Sequence, residues 1–114
     1  MPHFVVDCSE DILLVHGEDI INEQIHRVAN STGLFKENDI KIRVNPFKSY
    51  LVGNKKESFI HVFSNIMEGR TTEQKANLSY VIVEKLIEMF PLVANIAVNV
   101  RDFEKATYCN KSML

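Results

Sequence analysis

The spacing of apolar residues switches repeatedly between a two-residue and a helical period, and that alternation limits the folds open to this chain. Residues 2 to 8 alternate as a strand does, with Pro2, Phe4, Val6 and Cys8 on one side and His3, Val5 and Asp7 on the other. A loop runs from Asp11 to Gly17. A helical stretch from Glu18 to Thr32 follows, with Ile21, Ile25 and Val28 at helix spacing. Gly33 suits the left-handed residue that ends a helix. Ile40, Ile42 and Val44 then alternate with Lys41 and Arg43, giving a strand with one apolar and one cationic face. Pro46 is expected to disturb that strand, and Gly53-Asn54 before Lys55-Lys56 marks a turn.

The second half repeats the pattern. Ser58 to Met67 is rich in Phe, Ile and Val and reads as a strand covered on both sides, closed by Gly69-Arg70. Thr71 and Gln74 stand at capping-box spacing and open a helix whose expected buried stripe is Ala76, Tyr80, Val83, Ile87 and Phe90. Pro91 stops it. A last strand covers Val93 to Arg101, with Ala94, Ile96, Val98 and Val100 on one face, and the tail from Asp102 to Leu114 carries no firm pattern. The expected fold is α+β: a doubled βαβ unit (βαββαβ), a four-stranded mixed sheet with two helices on one face. Helices cover only one side of such a sheet, yet the Phe59, His61 and Phe63 side is also largely apolar. Self-association is the expected second cover.

At 114 residues the chain is expected to form a single domain, 1–114. Its net charge of −2 supplies no field to collect nucleic acid or an anionic membrane. No apolar run is long enough to span a bilayer, and no signal-peptide pattern opens the chain. Cys8 and Cys109 make a poor disulfide framework, so a reducing cytoplasm is the expected location, with contact between the two left open. The four histidines (His3, His16, His26 and His61) lack metal-ligand spacing, and no metal or cofactor is expected. His61 reads as a hydrogen-bonded core histidine. Phe47 and Tyr50 read either as pocket lining or as ordinary packing. Asp7, Glu10 and Asp11 fit a polar loop more simply than a carboxylate site, and Cys8 fits a small core residue.

Pro2 directly follows the initiator methionine. If Met1 is excised, Pro2 becomes a terminus with a free secondary amine, held in place by the strand behind it. Terminal amines titrate near ~8 and act as general bases at neutrality when burial or nearby cations lower their proton affinity. With Met1 kept, the same nitrogen is a tertiary amide without basicity.

Met-Pro-His-Phe-Val-Val-Asp-Cys-Ser at the start resembles the opening of 5-carboxymethyl-2-hydroxymuconate isomerases, in the tautomerase superfamily. Thr32-Gly33-Leu34-Phe35, Ile40-Lys41-Ile42-Arg43-Val44 and Glu68-Gly69-Arg70-Thr71 are similar to that family's segments in the same order. The resemblance runs from Pro2 to about Val100. It implies a tautomerase-like homotrimer that isomerises a dienol acid of aromatic-compound catabolism without cofactors, its terminal proline lying at a subunit boundary. It also implies Pro2 as the catalytic proton carrier and Arg70 as a holder of substrate carboxylate. A further family arginine falls at Lys41 and another at Arg43. Lys41 and Arg43 share a strand face, so either can meet an anion, although lysine cannot make the planar two-point contact of arginine.

The expected function is therefore cofactor-free isomerisation of an unsaturated 2-hydroxy or 2-oxo dicarboxylate. Arg70 has a rival reading as a solvated turn residue, but a helix amino end offers a cation nothing, which favours anion binding. Two other functions remain open. One is a non-catalytic oligomeric module that binds a small acid or a protein. The other is a phenylpyruvate-type keto–enol tautomerase.

Overall fold

In the computed structural model, which describes residues 1–114, six regular elements follow the expected order. They are β1 (His3–Ser9), α1 (Glu18–Ser31), β2 (Lys41–Phe47), β3 (Phe59–Met67), α2 (Thr72–Met89) and β4 (Asn95–Phe103). The sheet order is β2-β1-β3-β4. β1 runs parallel to β2 and β3 parallel to β4, while β1 and β3 pair antiparallel in the middle. Each helix is thus a crossover between parallel neighbours, and both helices pack on the same side.

The core lies between helices and sheet. Phe4, Val6 and Cys8 from β1 and Ile60, Val62 and Ile66 from β3 meet Ile21, Ile25 and Ala29 of α1 and Leu78, Ile82 and Leu86 of α2. Burying an aliphatic side chain of this size stabilises a fold by about 1.5–3 kcal/mol. In α1 the buried row is Ile21, Ile25 and Ala29, with Val28 only half-buried. Gly33 has φ 74°, the left-handed conformation that ends this helix. Thr71 caps α2 through a reciprocal pair: the Gln74 backbone N–H donates to Thr71 Oγ1 at 3.1 Å, and Thr71 N–H donates to Gln74 Oε1 at 2.9 Å.

Several expectations need correction. The buried stripe of α2 is Leu78, Ile82 and Leu86, continued by Phe90, whereas Ala76, Tyr80 and Ile87 are exposed and Val83 is half-buried. This helix is apolar on two sides. The sheet takes the row of large aliphatic residues spaced by four, leaving the side with a tyrosine hydroxyl and a small alanine to solvent. Pro46 does not disturb β2 but lies within it. Lys41 N–H donates to the Pro2 carbonyl at 3.1 Å, so odd-numbered β2 residues face β1 and the missing N–H of Pro46 falls on the open edge, where no bond is lost. β4 begins after Ala94, which is exposed. A short 3-10 turn over Glu10–Leu14 takes up the start of the loop expected from Asp11 to Gly17, and the tail forms two more, Lys105–Thr107 and Lys111–Met113.

β3 is fully covered on one side only. Ile60, Val62, Ser64 and Ile66 are buried, while Phe59, His61, Phe63, Asn65 and Met67 are half-buried on the helix-free face. His61 belongs to that open face rather than to the core. Its Nε2 pairs with Asn99 Oδ1 at 2.7 Å, and its ring lies 4.4 Å from that of Phe63. Reading across the strands, the open face presents Lys41–His3–Asn65–Arg101, then Arg43–Val5–Phe63–Asn99, then Asn45–Asp7–His61–Ala97.

Candidate functional site

Pro2 is buried at the head of β1, and alternation along the strand puts it on the side of Phe4, Val6 and Cys8. The ring of Phe4 meets Phe35 edge-on at 6.0 Å, and the Arg70 guanidinium lies over Phe35, 5.2 Å from its centroid. Arg70 follows Gly69, whose φ of 119° is open essentially only to glycine. From there Arg70 Nη1 donates to the Met67 carbonyl at 3.2 Å and Nη2 donates to the Leu34 carbonyl. The arginine is half-buried and tied to the end of β3 and to the loop after α1, at the amino-terminal end of β1.

The amino group at this end sits among charges. Met1 N lies 3.9 Å from Asp39 Oδ2, and Lys41 Nζ donates to the Asp39 carbonyl at 2.9 Å. Burial lowers the proton affinity of the Met1 amine, and Lys41 and Arg70 lower it further against the opposing pull of Asp39. Pro2, Lys41 and Arg70 therefore gather at one end of the sheet. Arg43 stands one pair farther along, opposite Val5, and its Nη1 lies 3.1 Å from His3 Nδ1.

His3 is the residue that sequence reasoning passed over, because strand parity turns it away from Pro2. The same parity puts it on the face of Lys41 and Arg43, and in the ladder it pairs directly with Lys41. Phe47 and Tyr50 lie at the other end of the sheet, since β2 runs parallel to β1. There Tyr50 packs against Phe59 at 5.6 Å, and a cavity of about 540 Å³ opens among Tyr50, Val52, Phe59, His61, Asn95 and Ile96.

The remaining polar groups have local partners. Asn45 Nδ2 donates to Asp7 Oδ1 at 3.3 Å, and the Ser58 hydroxyl donates to Asp11. His16 Nε2 donates to the Met89 carbonyl at 3.1 Å, and His26 pairs with Glu37 at 2.8 Å. Cys8 is buried and Cys109 exposed, both as free thiols; burial pushes the Cys8 thiol up to about 11, with Asp7, Glu18 and Asp11 adding to the effect. A thiol so shifted is a packing residue, not a nucleophile. No group of three or more His, Cys, Asp or Glu side chains converges to hold a metal ion.

This sheet, with its two one-sided helices and a buried proline at the head of β1, defines a tautomerase-fold protein. The chain belongs to the 5-carboxymethyl-2-hydroxymuconate isomerase family, whose sequence model matches residues 2–108, and it is accordingly an isomerase. Among solved structures it is similar to a 5-carboxymethyl-2-hydroxymuconate isomerase from Deinococcus radiodurans R1, with 17% identity and a TM-score of 0.84 over 96% of this chain and 88% of that one. It is also similar to Pt0534 inactivated by 2-oxo-3-pentynoate, at 15% identity and TM-score 0.79, covering 96% and 91% of the two chains. A wild-type fused 4-OT symmetric trimer matches at 14% identity and TM-score 0.77, covering 96% and 94%. Among curated proteins no sequence match reaches significance.

Proposed function

We propose that the chain moves a proton along an unsaturated 2-hydroxy or 2-oxo acid with at least two carboxylates, a compound like 5-carboxymethyl-2-hydroxymuconate, with the Pro2 amine as general base. The observation that carries this reading is the buried position of Pro2 at an end of the sheet where burial first, then Lys41 and Arg70 against the pull of Asp39, lowers the Met1 amine's hold on its proton. Once Met1 is removed, the Pro2 amine takes the proton from the dienol oxygen and returns one to carbon, so the product is an isomer with the same atoms. Arg70 and either Lys41 or Arg43 hold the carboxylates and steady the enolate charge that develops between the two transfers. No cofactor takes part.

The isomerase acts in this reading as a cytoplasmic homotrimer. The free thiols of Cys8 and Cys109 suit a reducing compartment, and no helix is long and apolar enough to cross a membrane. The half-buried Val5, Phe59 and Phe63 on the helix-free face supply apolar surface for subunit contact, and a related fold forms a symmetric trimer.

Intact-mass analysis of the purified chain, paired with an ultraviolet assay on dienol acids bearing one or two carboxylates, tests the reading. The expected result is loss of Met1, a preference for the second carboxylate, and at least a hundredfold lower turnover in folded Pro2→Ala, the scale of one general base. Retained Met1, or unchanged turnover in Pro2→Ala, overturns the amine mechanism. Indifference to the second carboxylate overturns the substrate class and favours a phenylpyruvate-type tautomerase.

A further inference from the structure

His3 and Arg43 make a contact whose direction is fixed by chemistry. A guanidinium carries only donors, so Arg43 Nη1 donates and His3 Nδ1 accepts across 3.1 Å. The imidazole is therefore neutral and carries its proton on Nε2. Phe103 at the end of β4 meets the ring edge-on at 6.0 Å and 89°, and Tyr108 backs Phe103 at 6.0 Å. β1 fixes the backbone of His3 between Lys41 on β2 and Asn65 on β3. The acceptor is held from three sides.

Arg43 is exposed and sits one pair farther from Pro2 than Lys41 does. A free arginine there would sample many rotamers, and an anion would have to order it on binding. The contact with His3 instead turns the guanidinium back along the strand toward the head of β1, and its remaining N–H groups stay available for a carboxylate.

We propose that His3 is a positioning residue that aims Arg43 at the Pro2 end of the sheet and thereby sets affinity for the substrate's second carboxylate. The proposal rests on the reading of the Pro2 end as an anion-binding isomerase site. The surroundings keep His3 in the accepting form: burial first, then Arg43, Lys41 and the amino terminus, all disfavour its protonation. The neighbours from the other elements, Asn65 on β3 and Phe103 on β4, bring no charge.

Steady-state kinetics on a doubly carboxylated dienol acid test the role with His3→Leu, His3→Asn, Arg43→Ala and the His3→Leu/Arg43→Ala double variant, each checked for folding by circular dichroism. His3→Leu is expected to raise KM about tenfold, the scale of a hydrogen bond to a charged group, with kcat within about twofold. His3→Asn, which retains an accepting oxygen, is expected to recover most of the loss. In the Arg43→Ala background His3→Leu is expected to add nothing. If His3→Leu raises KM equally with and without Arg43, or if asparagine performs no better than leucine, His3 does not act through Arg43. If Arg43→Ala raises KM while His3→Leu leaves it unchanged, only the positioning role falls. If Arg43→Ala itself leaves KM unchanged, Arg43 has no part in anion binding and the role of His3 falls with it.

Discussion

Arg70 does two things with one side chain. Two of its N–H groups hold the Leu34 and Met67 carbonyls, and its plane covers Phe35. A sequence reading sees only a cation at a helix start, because the Leu34 carbonyl, 36 residues away along the chain, cannot be inferred from local pattern. The same blindness hid His3. Its strand parity was legible, but a hydrogen bond to a residue on the neighbouring strand depends on register, which only the assembled sheet fixes. Asp11, read from the sequence as part of a polar loop, likewise takes its chief partner from far along the chain. Hydrogen bonds from Ser58, and secondarily from Ser9, hold its carboxyl below the ordinary 3.8. A carboxylate depressed on folding stabilises the protein above its unfolded pKa and loses that contribution as pH falls through the folded value. Asp11→Asn is therefore expected to be less stable than the parent at neutral pH, with the gap closing well below pH 3.8. Urea denaturation at both pH values measures it, and a gap that does not change with pH removes Asp11 as a charged tether.

The elements themselves were largely legible. Alternation located β1, β2 and β4 because each has one side facing the helices, a continuous apolar run located β3, and capping at Thr71 marked the start of α2 to the residue. What periodicity did not decide was which side of α2 turns inward. Two apolar rows run along this helix, and rotating the choice by one residue position exchanges them. The sheet decides between them, a choice invisible to a helix considered alone. Ile82→Ala is expected to cost about 2–5 kcal/mol, as a truncation in a packed core does. Ile87→Ala, on the outer row, is expected to stay within about 0.5 kcal/mol. Thermal or urea unfolding of the pair distinguishes the two rows, and reversed magnitudes would restore the original stripe. Pro46 teaches a related lesson: proline counts against a strand only where its nitrogen would have donated, and an edge strand has a side where nothing is asked of it.

Over the whole molecule, two helices shield one side of the sheet and none the other. Val5, Phe59 and Phe63 remain half-buried among asparagines and charged groups on that bare side. The need for a second cover was readable from the apolar run in β3, although its mixture with Asn45, Asn65 and Asn99 was not, because those residues come from three different strands. If this face joins subunits in the proposed trimer, Phe63→Asp is expected to yield monomers that keep their secondary structure. Sedimentation equilibrium reads the outcome, and an unchanged mass would place the contacts elsewhere.

The antiparallel pairing of β1 with β3 relates the two halves by an approximate half-turn. Matched strand for strand, Phe4 corresponds to Ile60, Pro2 to Ser58, Lys41 to Asn95 and Arg43 to Ala97. The bonding differs, since the Ser58 carbonyl accepts from the Asn95 side-chain amide at 3.0 Å whereas the Pro2 carbonyl accepts from the Lys41 backbone N–H at 3.1 Å. In the second half the polypeptide runs unbroken through Ser58, and Asn95 and Ala97 place no cation at the matching positions. Of the two related ends, then, only the one that sets Lys41 and Arg70 near Pro2 combines cations with a nitrogen that cleavage of Met1 would make basic.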